Sequence, residues 1–294
     1  VVSKADLREM AIALNRLVVI NFAGVDELRE ACVRRAGFII AEARANRSDG
    51  VGVLWALVVA ARPDDAREGF RDLVRDLWTG LLDAGVSHDD DRSQLAQVWL
   101  SLRHETDWTA GLPEPPSTWA ATLTSQGVRV SRAQKSVSQV LRECGFAHEM
   151  EVDLDGTGLT ADAADVDARV AVEYDGPQHY LADRTQTGRT RFKHRLVRAL
   201  GWRLVVVSHY GWEQASDKRA YVEDLLARPS GVGAAGGESR STNGRRTQHR
   251  DRRRAPEEPA TDDEGNPEDG ASSSAARPQR SLAELQASLP SAGG

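Results

Sequence analysis

Apolar positions along residues 1–110 recur at helical spacing. Leu7, Ala11, Leu14 and Val18 make one stripe, and Leu28, Cys32, Ile39, Ile40 and Ala43 make a second after the acidic start Asp26-Glu27. The stretch Val51 to Ala61 is apolar on every side, which predicts a buried helix. Pro63-Asp64 opens the next helix, whose inner face is Phe70, Leu73, Val74, Leu77, Trp78 and Leu81 and whose stop signal is Gly85. Leu95, Val98, Trp99 and Leu102 continue the pattern, so paired helices stacked as a solenoid are expected. Trp55, Trp78 and Trp99 each lie within an apolar stripe and are read as core.

Leu112-Pro113-Glu114-Pro115-Pro116, flanked by Trp108 and Trp119, ends the helical pattern and is read as a linker over 111–130. Ser131 and Gln134 then form a capping-box match; Val137, Val140 and Leu141 follow at helical spacing, and Gly145 stops the helix. From there the period changes to two. Met150, Val152 and Leu154 alternate with acidic residues, and Val166, Ala168, Val170, Val172 and Tyr174 alternate up to the turn Gly176-Pro177. Glu173 and Asp175 therefore share one face of a strand. A helix with Phe192, Leu196, Val197 and Leu200 ends at Gly201 and is followed by the strand Leu204 to Val207, which is the order of a parallel crossover. A last helix carries Tyr221, Val222, Leu225 and Leu226. The expected α/β domain spans 131–228, with a sheet flanked by the 131–143 and 189–200 helices and by this last helix.

After Pro229 the composition turns to Gly, Ser, Arg, Pro, Glu and Asp, and aromatics vanish, so 229–294 is expected to be a disordered tail. Within it the block Arg240 to Arg254 is basic and the block Glu257 to Asp269 is acidic. The basic block is compatible with RNA contact, and equally with a solvated tail whose charges offset one another.

The 294-residue chain carries a formal net charge of -6, so any polyanion-binding surface must be local. One segment stands out: Arg184, Arg189, Arg191, Lys193, Arg195, Arg198 and Arg203 run without an intervening acid. Such a row neutralises phosphates, or forms a solvated helix face. Tyr180, His179 and Trp212 lie close in sequence as candidate base-stacking groups. The two cysteines, Cys32 and Cys144, frame neither a zinc site nor a disulfide scaffold. No apolar run approaches the ~20 residues of a membrane helix, so no membrane partner is expected. The start Val1-Val2 without Met reads as part of a longer protein, whose targeting peptide would lie outside this sequence.

The string AVEYDGPQHY, the basic run after it, and GWRLVVVSHYGWE together resemble the RAP domain, a family named for RNA-binding proteins abundant in apicomplexans and found in algal, plant and animal organelle proteins. The resemblance covers roughly 135–226 and includes Asp162, eleven residues before Glu173. In addition, Leu54-Trp55-Ala56-Leu57 resembles the core of the octotricopeptide and FAST-kinase-type helical repeats that precede RAP domains.

The resemblance implies a restriction-endonuclease-like α/β fold of the PD-(D/E)xK type behind a helical repeat-like region. In that pattern Asp162, Glu173 and Asp175 take the acidic positions, with Asp175 where the pattern asks for Lys. Those carboxylates would suit Mg²⁺ and water activation, with His179 as a proton carrier; the bland reading is a structural acidic pair bonded to Lys193, Arg195 or turn amides. The missing Lys favours binding over cleavage, hence no obligatory cofactor. The expected protein is an organelle RNA-metabolism factor, chloroplast or mitochondrial, acting on the stability, processing or translation of single-stranded transcript or rRNA. Its RNA-binding set would be Arg184, Arg189, Arg191, Lys193, Arg195, Arg198, Tyr180 and Trp212. A metal-dependent RNA endonuclease and a protein-docking module are the alternatives.

Overall fold

A computed structural model describes residues 5–22, 24–61, 69–124 and 130–229. The expected helix start at Pro63-Asp64 and the tail beyond Pro229 lie outside the described residues. The helices of the N-terminal half are α1 (Leu7–Val19), α2 (Val25–Arg34), α3 (Ala36–Ala45), α4 (Arg47–Ala60), α5 (Phe70–Ala84) and α6 (Asp89–Glu105). After the short α7 (Ala120–Thr124) come α8 (Arg132–Glu143), β1 (Glu149–Asp153), β2 (Thr160–Asp165), β3 (Val170–Asp175), α9 (Gly188–Ala199), β4 (Arg203–Ser208), α10 (His209–Gln214) and α11 (Lys218–Ala227). The architecture is N-terminal helices followed by a small mixed sheet with helices.

Helix α4 is buried all round from Gly50 to Val59, as its uniformly apolar sequence predicts, and α1, α3, α5 and α6 surround it. Each large apolar side chain removed from water there contributes about 1.5–3 kcal/mol. Trp78 of α5 stacks on Trp99 of α6 at 5.2 Å, and its indole N–H donates to the Pro113 carbonyl at 2.9 Å. Trp108 and Trp119 are buried in the same core, so the proline-rich stretch between them is packed along the helices.

Three sequence expectations are corrected. The stripe expected to form one helix from Leu28 to Ala43 is two, α2 and α3, because the backbone leaves helical geometry at Arg35 (φ -108°, ψ 13°), whose guanidinium donates to the Ala5 carbonyl at 2.7 Å. Val166 and Ala168 belong to a turn: the Asp165 carboxylate accepts from the Ala168 N–H at 2.9 Å, Arg169 takes φ 51°, and Val166 stays exposed. Leu154 leaves β1 for a buried single turn.

The sheet order is β1-β2-β3-β4, antiparallel except for the parallel pair β3–β4, in which Asp175 lies opposite Ser208. The capping box is formed: the Gln134 N–H donates to Ser131 Oγ at 3.1 Å, and the Ser131 N–H donates to Gln134 Oε1 at 2.6 Å. Val170 and Val172 pack with Val137 and Leu141 of α8 and Val222 of α11, while Ala171 shares a core with Phe192 and Leu196 of α9 and the N-terminal helices. Helix α9 is thus clasped between the sheet and α1, α4 and α6.

The entry of α9 requires a glycine. A Cβ at Gly188 would stand 2.0 Å from the Val18 carbonyl oxygen in the last turn of α1. Gly188→Ala should therefore push α1 and α9 apart and lower stability by about 1–3 kcal/mol, the usual cost of overpacking. A melting curve indistinguishable from that of the parent chain would show that α1 can withdraw freely.

Candidate functional site

The C-terminal end of β3 carries two buried acids on the face turned to α9, Glu173 at 3% and Asp175 at 1% exposure. Alternation along the strand places them there, and the helical turn of α9 supplies their partners. Lys193 Nζ donates to Glu173 Oε2 at 2.8 Å. Glu173 Oε1 is buried with no hydrogen-bond partner. Burial pushes the Glu173 carboxyl up to about 8, against the downward pull of Lys193; Asp162 and Asp175 add to the rise. Lys193 is itself held above its ordinary value by Glu173, against its own burial.

Asp175 Oδ2 accepts from Gln186 Nε2 at 2.7 Å, and Asp175 Oδ1 lies 3.4 Å from His194 Nε2 and 3.8 Å from His179 Nδ1. His179 Nδ1 also meets Thr190 Oγ1 at 3.1 Å. Burial lowers the His179 pKa although Asp175 pulls the other way, which favours a neutral ring. Asp162, on β2, has both oxygens engaged: Oδ1 accepts from Gln134 Nε2 and Oδ2 from the Tyr174 N–H, each at 2.7 Å. Glu151, in a left-handed conformation (φ 53°), has its carboxyl raised by burial and then by Asp162.

Asp162, Glu173 and Asp175 therefore lie close enough to feel one another's charge, but each is committed to a different protein partner. Among the described residues no group of three or more His, Cys, Asp or Glu side chains is arranged to hold a metal ion. Asp162, Glu173 and Asp175, the candidates for a Mg²⁺ site weighed against a structural acidic pair, are each hydrogen-bonded within the protein. Lys193 of α9 is the positive group that stands beside these acids.

The basic row divides by the faces of α9. Arg184, Arg189, Arg191 and Arg198 are exposed. Lys193 and Arg195, expected to meet phosphate, point inward. Arg195 Nη1 donates to the Val59 and Ala61 carbonyls at 3.2 and 2.8 Å, Nη2 donates to Val58 at 3.0 Å, and Nε lies 2.7 Å from Glu105 Oε1. Trp212 does not meet the expectation of a base-stacking group either, because α10 turns it into the core beside Val205 and Val207, leaving 6% exposed.

Tyr180 is half-buried and meets Tyr210 edge-on, ring centres 5.1 Å apart, with His209 next to Tyr210 at 5.5 Å. The Arg184 guanidinium stands 5.0 Å from the Tyr210 ring centre. The sequence pattern favours Trp212 over His209 and Tyr210, although the His-Tyr pair directly follows β4 and that position is the signal that points to it. Gln186 and His194 give no sequence signal as partners of Asp175, since their meeting depends on how the 180–187 loop folds back.

Residues 172–225 match the model of the RAP domain family. A RAP domain-containing protein, chloroplastic, of Oryza sativa subsp. japonica is 38% identical over 96 residues. That stretch is 32% of this chain and 15% of the rice protein, so the chain spans a small part of that relative's length. No helix among the described residues is long and apolar enough to cross a membrane.

Proposed function

Because this chain carries a RAP domain over residues 172–225, we propose that it is an RNA-binding factor of organelle RNA metabolism, acting on the stability, processing or translation of a single-stranded transcript or rRNA. The observation that carries this reading is the exposed row Arg184, Arg189, Arg191 and Arg198, uninterrupted by any acid, in a chain that is acidic overall. Each arginine that displaces counterions from phosphate adds salt-dependent affinity. The chloroplast is the compartment favoured for it, by the name of the rice relative.

Asp162 on β2 and Glu173-x-Asp175 on the adjacent β3 support a sheet of the restriction-endonuclease-like type. The Leu54–Leu57 likeness on α4 supports a helical-repeat origin for residues 1–110, ahead of an RNA-binding domain over 131–228. Lys193 beside Glu173 is the one observation that favours the nuclease alternative.

The test is fluorescence anisotropy of the chain with a labelled single-stranded RNA over a range of salt concentrations. Replacing Arg184, Arg191 and Arg198 together by Gln should weaken binding and reduce the slope of log affinity against log salt by about 0.7 for each phosphate that is no longer neutralised. Absence of RNA binding by the parent chain, or an unchanged slope in a folded variant, would overturn the proposal or move its surface elsewhere. Metal-dependent cleavage of the RNA would replace it by the nuclease reading.

A further inference from the structure

We infer that Tyr180, His209, Tyr210 and Arg184 form a subsite for a single unpaired nucleotide at the C-terminal edge of the parallel pair β3–β4, the base against the rings and its phosphate on the guanidinium. The inference rests on the RNA-binding reading and names the part of the ligand that this edge selects.

The register creates the juxtaposition. Asp175 and Ser208 are opposite one another where β3 and β4 end, so the segments that follow leave the sheet side by side. One carries Tyr180 and the other carries His209 and Tyr210. The rings are set at angles: Tyr180 to Tyr210 at 70° and His209 to Tyr210 at 59°. His209 is anchored by Tyr174, whose hydroxyl lies 3.2 Å from its Nδ1. None of the three rings is fully buried, in contrast to Trp212.

Arg184 is held over this group by a tight loop. Tyr180 and Gln186 form an antiparallel bridge, the Leu181 N–H donates to the Thr185 carbonyl at 2.8 Å, and the Arg184 N–H donates to the Leu181 carbonyl at 2.9 Å. The neighbouring Asp183 carboxylate is occupied by the Thr185 N–H at 2.9 Å and hydroxyl at 2.7 Å. Arg184 itself adopts φ 66°, a conformation disfavoured for a residue with a side chain and retained where surrounding structure enforces it.

The chemistry matches one kind of ligand. Aromatic faces stack on bases of any identity, and a guanidinium both stacks and neutralises phosphate. In a double helix the base faces are covered by their neighbours, so ring stacking selects a splayed, unpaired base. The exposed Arg189, Arg191 and Arg198 on α9 would take the flanking phosphates.

The experiment uses the chain with a short single-stranded RNA containing one 2-aminopurine, and the same strand annealed to its complement. The parent chain should quench the probe in the single strand. Tyr210→Leu should abolish the quench and weaken single-strand binding roughly 5- to 150-fold, the usual range for one stacked base. Its salt slope and its duplex binding should be unchanged, and Tyr210→Trp should restore the quench. Should Tyr210→Leu lower the melting temperature, Arg184→Gln on an exposed side chain replaces it, with an expected slope reduction of about 0.7 and a weaker quench. If the parent chain binds RNA but Tyr210→Leu and Tyr180→Leu bind and quench as it does, the subsite is refuted while the RNA reading stands. If the parent chain binds no RNA, both fall together.

Discussion

Replacing Arg195 by Met should destabilise the fold by about 3–5 kcal/mol, the range for removing one partner of a buried charge pair, and lower the melting temperature by roughly 10 °C. The last carbonyls of any helix lack partners within it. Arg195 supplies them for α4 at Val59 and Ala61, and adds a second bond at Val58, whose carbonyl also accepts from the Ala61 N–H at 3.2 Å. Its Nε also stands 2.7 Å from the Glu105 carboxylate as an ion pair; the Glu105 side chain is 4% exposed and accepts a hydrogen bond from Ser101 Oγ at 2.6 Å. Met keeps an apolar stem but removes the guanidinium, which lies 4.9 Å from the Phe192 ring centre; the Val58, Val59 and Ala61 carbonyls lose its bonds, and the Glu105 charge is left buried. A cycle with Glu105→Gln should return part of the loss, since the neutral amide has less to lose when the guanidinium is gone. The slope of RNA affinity against salt should not change, because this guanidinium faces protein. A variant of normal stability with a reduced slope would return Arg195 to the phosphate-binding row.

That residue also marks the limit of what the sequence makes legible. Local periodicity correctly places Glu173 and Asp175 on one face of β3, the capping box at Ser131 and Gln134, and α4 in the core, because each depends on neighbours a few residues away. The basic row of α9 is different. Lys193 and Arg195 are two residues apart on a helix and so point some 200° around it, one to the sheet and the other to α4 and α6. Whether the second is solvated depends on a helical layer contributed more than a hundred residues earlier. Read in isolation, α9 has one apolar side and one basic side. Clasped between two layers, it has two buried sides, and only four of the seven cations from Arg184 to Arg203 remain exposed. Trp212 misleads for a similar reason: hydrophobic size suggests either a stacking surface or a core, and only the turn of α10 decides between them. The left-handed backbone at Glu151 leaves no trace in composition, since Glu is not a residue that marks such a turn.

Glu173→Gln should change the pH dependence of stability. With the carboxyl raised from 4.5 to about 8 in the folded chain, the native state binds the proton more tightly than the unfolded chain across that window. Stability from this group is therefore fully present below its unfolded pKa and is lost as pH rises, by up to about 1.4 kcal/mol per pH unit, until it is gone above the folded value. Lys193, raised above 10.5, contributes stability that is present throughout this range and is lost only in more alkaline solution, so it does not mask the trend. The geometry agrees with a protonated acid: Oε2 receives the Lys193 bond, and Oε1, buried with no partner, costs far less as a hydroxyl than as half of an anion. Gln has the shape of the protonated form. Denaturant unfolding at pH 5, 7 and 9 should give near-equal stabilities at pH 5 and an advantage for the variant that widens to a few kcal/mol at pH 9. A variant weaker than the parent chain by the same amount at every pH would mean that Glu173 is ionised in an ion pair with Lys193. RNA incubated with Mg²⁺ or Mn²⁺ supplies the second readout. Cleavage by the parent chain that disappears in a normally folded Glu173→Gln would give this carboxylate a catalytic task and overturn the binding-only reading, whereas intact RNA with both proteins, together with the pH signature, would assign Glu173 to holding α9 on the sheet.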